Sequence, residues 1–207
     1  QKDAQSIKRR INSIDNYVSD LQRGYSEYVL RSATYKTFLS LAFYINTTGL
    51  PLTNLNAAFS EVIMAGKIGG TSIDGITGKT IMENSSLSYW NNRISELARE
   101  HLNVNTTINI KNVSVYQNNP WAVIVQMGMN FSVVSEVAKW EKETTVTTVV
   151  GIEGVHDPYY IINAEAEYAY PIRRAPVAFN QWNITRLREH LRNSTYVHWE
   201  NSNAPSF

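Results

Sequence analysis

Seven Asn-x-Ser/Thr triplets stand at Asn46, Asn84, Asn105, Asn112, Asn130, Asn183 and Asn193. In this pattern the asparagine amide is the acceptor of an N-linked glycan, which places the chain outside the cytoplasm. With 21 Asn and 34 Ser plus Thr in 207 residues, chance placement gives roughly three to four such triplets. The excess is read as glycosylation, against the alternative of an Asn/Thr-rich surface with accidental triplets.

Other chemistries lack their residues. The stretch "GITGKT" resembles a phosphate-binding loop, but that motif needs a glycine five positions before the Gly-Lys pair, and Ile73 stands there. A flexible loop is the reading adopted. The histidines, His101, His156, His190 and His198, include no short i, i+4 ligand pair. His156-Asp157-Pro158 reads as a turn rather than a metal site. No G-x-S-x-G nucleophile elbow occurs, and Glu61, Glu83, Glu96, Glu100, Glu141 and Glu153 are scattered, so no carboxylate pair is nominated for acid–base work. The expectation is a non-enzymatic protein with no cofactor and no metal.

Composition agrees with an ordinary globular chain: 43% hydrophobic and 18% charged residues. A net charge of +1 gives no basic face of the kind that binds nucleic acid. Without cysteine there are no disulfides, thiolate metal sites or cysteine nucleophiles.

The elements that carry these positions begin with a heptad seam. Ile7, Ile11, Ile14, Val18, Leu21, Tyr25 and Tyr28 follow the 4, 3, 4, 3 spacing of a coiled-coil a/d stripe. The seam is taken as the oligomerisation surface; its alternative is burial against the chain's own domain. Lys8, Arg9 and Arg10 read as the solvated side. One helix is predicted from about Gln5 to Ile45, ended by Gly49 and Pro51. At this length it measures about 60 Å, so its first half is expected to project and its second half to be buried. A shorter helix follows, capped by Thr53 and ended by Gly66, then an amphipathic helix over "SSLSYWNNRISELAREHLNV".

After His101 the period changes to that of strands. "TTINIKNVSVYQ" switches parity at Lys111-Asn112, which marks a bulge. In "WAVIVQMGMNFSV" the apolar residues Trp121 to Val133 hold every odd position. "KETTVTTVVGIEG" supplies a third strand with its threonines on the exposed face, and "DPYYIIN" a short fourth. The fold class is therefore α+β: a long N-terminal helix and shorter helices packed on an antiparallel meander of three to four strands. Residues 1–163 form this domain. Residues 164–207 are read as a Pro-containing tail with a short helix over "NITRLREHLRN", either wrapping the domain or approaching a further one.

The order of "SIKRRINSIDNYVSDLQRGYSEYVLRSATYKTFLSLAFYI" before "NVSVYQNNPWAVIVQMGMNFSVVSE" and "TTVTTVVGIEGVHDPYYIIN" resembles the type IV pilin-like proteins of archaea, whose class III signal peptide precedes a hydrophobic helix. That resemblance implies a surface subunit, working in adhesion or surface structure. Its helix would pair with further copies or other pilin-like subunits, and surface glycans or cells would be targets. It also implies a membrane-embedded half-helix ahead of Gln1, although Lys8-Arg9-Arg10 would then oppose the positive-inside bias. A second arrangement with a long helix before an antiparallel sheet is the Cache-type sensor domain of a membrane receptor. A sensor would hold a ligand near Trp121, Tyr159 and Tyr160.

Overall fold

The structure is a computed structural model that describes residues 2–156 together with Pro171, Ile172, Arg188 and Arg192. It is the α+β arrangement expected from the sequence. The long helix runs as α1 (Lys2–Asp20), a π-helical turn (Leu21–Tyr25) and α2 (Ser26–Thr48). It ends where Gly49 takes the left-handed conformation at φ 66° and returns its N–H to the Ile45 carbonyl at 2.8 Å. Then come α3 (Leu55–Ala65), a hairpin of β1 (Lys67–Ile68) and β2 (Thr71–Ser72), α4 (Ile73–Thr77) and α5 (Leu87–Leu102). The chain closes on β3 (Asn105–Asn119), β4 (Ala122–Val134) and β5 (Lys139–Gly151), an antiparallel sheet in the order β3-β4-β5.

Strict alternation on β4 drives the layering. Val123, Val125, Met127, Met129, Phe131 and Val133 are all buried on the inner face, as period-2 patterning requires. The predicted bulge is present, with the β3–β4 register shifting between Ile110 and Asn112. Helix α2 lies against β4 and β5, while α3 and α5 lie against β3. The Phe38 and Phe59 rings meet at 5.2 Å within the shared core. Two serines tie helices to β3: Ser60 Oγ donates to the Val113 carbonyl at 3.1 Å and Ser95 Oγ to that of Thr106 at 2.8 Å.

Three local expectations change. The cap of α3 is Asn54, whose Oδ1 accepts from the Ala57 N–H at 3.0 Å; Thr53 lies one residue too early. Asn54→Ala should therefore cost about 1 kcal/mol and Thr53→Ala almost nothing, as urea melts of the two variants will read. The threonines of β5 lie on both faces: Thr145 and Thr147 are exposed, but Thr148 is buried beside Val146 and Val150. The helix does not project through its first half, because Ile14, Val18 and Leu21 already belong to the core. The expected fourth strand and most of the tail lie outside the described residues. In the tail's expected helix, Arg188 and Arg192 are described and both are helical.

Candidate functional site

The seam residues divide into three groups. Ile14, Val18 and Leu21 are buried at 1%, 9% and 2% exposure, whereas Ile7 and Tyr28 are 48% and 68% exposed. Ile11 and Tyr25 are half-buried. Packing in the middle is held by polar contacts on both sides. Arg10 donates to the Leu102 carbonyl at 2.9 Å, placing a cation at the carboxyl end of α5. Asp15 accepts from Trp140 Nε1 at 2.6 Å, and the Tyr17 hydroxyl meets Thr106 Oγ1 at 3.1 Å. Burial pushes the Tyr17 phenol up from its ordinary value, opposed by the Thr106 hydrogen bond, so it stays a neutral hydroxyl in this contact. Of the basic run, Lys8 and Arg9 are exposed as expected, but Arg10 is part of the fold.

The π turn explains why the seam fails at Tyr28. Leu21 O accepts both the N–H and the hydroxyl of Ser26, five residues on. One extra residue in a turn rotates everything after it by about 100°. A continued heptad would bury positions 25, 28, 32 and 35; instead Ser26, Val29, Leu30, Ala33, Thr34 and Thr37 are inside. Tyr28 and Tyr35 are turned outward, at 68% and 46% exposure, with the exposed Arg31 between them. The heptad spacing gave no sign of this; Gly24, a poor helix former, and Ser26 are the local hints.

The sheet's outer face is the second assembled surface. Register places its residues in rows: Tyr116, Ile124 and Val149; Ser114, Gln126 and Thr147; Asn112, Gly128 and Thr145; Asn109, Asn130 and Glu143; Thr107, Ser132 and Glu141. Hydroxyl and amide groups fill the middle, with an apolar row at one end and charges toward the other. Lys111 Nζ reaches Glu143 Oε1 at 2.7 Å, so this pair spans from one edge strand to the other across β4. The Asn112 side chain lies across the central strand at Gly128, where a β-carbon would make its Oδ1 turn aside.

The sequons fall differently in this setting. Asn46, in the last turn of α2, and Asn84, in the turn before α5, are exposed, as are Asn105 and Asn112 on β3. Asn130, on β4, is half-buried, and its Oδ1 is shut off from solvent with no hydrogen-bond partner. Asn183 and Asn193 lie outside the described residues.

The chain has no counterpart in any of three comparisons. No protein-family model, curated protein or solved structure matches it.

A cleft of about 640 Å³ lies between α3, α4 and the turn before α5, lined in part by Ser72, Asp74, Lys79, Glu83 and Asn84. The "GITGKT" stretch forms part of it; Gly75 to Thr77 belong to α4 rather than to the expected loop, and Gly78 to Thr80 form the turn after it. Glu61 accepts from the Gly69 and Gly70 N–H groups at 2.7–2.9 Å, shaping the β1–β2 turn. Asp74 accepts from the N–H groups of Ile81, Met82 and Glu83 at 2.8–3.1 Å. Lys79 Nζ sits 5.4 Å from the centre of the Phe43 ring. These charges hold the fold together and do not converge on one point. Among the described residues no three His, Asp or Glu side chains cluster to hold a metal, and no helix is long and apolar enough to cross a membrane. Trp121 lies in the β3–β4 turn, where its carbonyl accepts from the Ile152 N–H at 2.8 Å; Tyr159 and Tyr160 lie outside the described residues.

Proposed function

We propose that this chain is a non-enzymatic, extracytoplasmic subunit of a pilus-like filament or cell-surface assembly, acting in adhesion or surface structure. The observation that carries this reading is the outward stripe of the long helix. Tyr28, Arg31 and Tyr35 lie on successive turns, exposed and turned away from the core. Tyr and Arg are, with Trp, the residues enriched at interface hot spots: Tyr covers area at low conformational cost, and Arg brings a planar guanidinium with several donors. The early seam contributes at Ile7, on a helical segment whose residues Ala4 to Arg9 are all exposed. The partner is a further copy of this chain or another pilin-like subunit. Sequons on exposed backbone support a location outside the cytoplasm.

The test uses exposed positions, so that loss of assembly is not loss of fold. A Tyr28→Ser, Arg31→Glu, Tyr35→Ser variant should keep its melting temperature within a few degrees. A single hot spot is worth about 2 kcal/mol or more, so the loss of even one of the three should weaken association by at least roughly thirtyfold. Sedimentation and electron microscopy of envelope material from cells carrying the variant will read this. Assemblies of normal amount and appearance would refute the proposal.

A further inference from the structure

We propose that the outer face of the sheet is a glycan-bearing face, modified at Asn105 and Asn112 and unmodified at Asn130; this rests on the extracytoplasmic reading above. Three of the five described sequons open on this one face, two on the edge strand β3 and one on the central strand β4. Sequence treats them alike, and the fold does not. Asn105 is exposed at the start of β3. Asn112 is exposed beside the bulge, and its side chain lies over Gly128, where any other residue would fill the space. A sugar carried by Asn112 enters a lane already lined for it. Ser114, Gln126 and Thr147 form the next row, offering hydroxyl and amide partners. Tyr116, 46% exposed, follows about 14 Å from Asn112 at the strand repeat, with an aromatic face suited to a pyranose ring.

Asn130 is set apart by what lies across it. It shares a row with Asn109 and Glu143, and the Lys111–Glu143 pair crosses the central strand at that level. Its carboxamide oxygen has lost solvent without gaining a partner. A glycan on the amide nitrogen of this side chain would stand on the central strand, between the two edge strands that the ion pair joins, so folded molecules should lack it. The consequence for assembly is a division of surfaces. Sugar on Asn105 and Asn112 withdraws the sheet from protein contact and leaves the helix stripe free.

The experiment is site-by-site occupancy on the native protein, using peptide-N-glycosidase in heavy-oxygen water and peptide mass spectrometry. Asn105 and Asn112 should carry the label in most molecules and Asn130 in few. Asn46 and Asn84 are the exposed references. Modification at either reference with none at Asn105 and Asn112, or a glycan on Asn130 in folded molecules, overturns this inference while the extracytoplasmic reading stands. No modification at any of the five sites overturns both. The Asn105→Gln, Asn112→Gln variant should lose the mass of both glycans with its core intact, and an unchanged mass overturns the assignment.

Discussion

Ile14→Asp will destabilise the domain by several kcal/mol, whereas the same replacement seven residues earlier, Ile7→Asp, will leave its stability within about 0.5 kcal/mol. Both residues occupy equivalent positions of one heptad stripe, so the contrast tests where the helix stops being a free surface. Ile14 is 1% exposed and Ile7 is 48% exposed. Around Ile14 the helix is fixed to α5 through Arg10, to β3 through Tyr17 and to β5 through Asp15. A carboxylate placed there loses its water, and Arg10, one turn away, is committed to the Leu102 carbonyl, so the cost should be about 4 kcal/mol or more. Urea denaturation followed by circular dichroism measures both variants. A stable Ile14→Asp protein would mean that α1 does not pack on the sheet, and an unstable Ile7→Asp would mean that the first two turns are also buried.

The second large effect is expected at Asp74. Its carboxylate accepts from three consecutive backbone N–H groups, at Ile81, Met82 and Glu83, and so organises the turn that leads into α5. Charge-assisted bonds of this kind count for more than neutral ones, and their removal leaves donors unpaired. Asp74→Ala should destabilise the protein by about 3 kcal/mol. Hydrogen exchange should show the loss first at the amides of 81–83, ahead of the sheet. Uniform loss of protection across the protein would contradict a local role. Asp74→Asn, which keeps an acceptor oxygen, should recover part of the stability, and failure to do so would point to the charge alone.

The legible parts of this fold were those written in periodicity. The alternation of β4 identified each buried residue from Val123 to Val133, and the parity switch near Lys111 located the bulge. The helix stop at Gly49 followed from residue type. What could not be read was structure made by side chains reaching backbone at a distance. Nothing in the local sequence announces that Glu61 orders the Gly69-Gly70 turn or that Asp74 orders the backbone of 81–83. The heptad stripe is regular through Tyr28, yet a π turn at Leu21–Tyr25 shifts its phase. For the surfaces, the sequons were visible as triplets, but only strand register shows that Asn130 differs from Asn112. Arg31 and Tyr35 were missed because their exposure depends on that phase shift.

The polar clamps on the long helix also set a timetable for biosynthesis. Asp15 is bound by Trp140, 125 residues later in the chain, and Arg10 by the Leu102 carbonyl, 92 residues later. At about 5–20 residues per second, the ribosome takes roughly 6 to 25 s to go from Asp15 to Trp140. The α1 seam is made first among the described elements and acquires its partner on β5, the last of them. For that interval Ile14, Val18 and Leu21 form an open apolar stripe. A chaperone or a neighbouring nascent chain can engage the stripe then; once β5 has docked, it is closed.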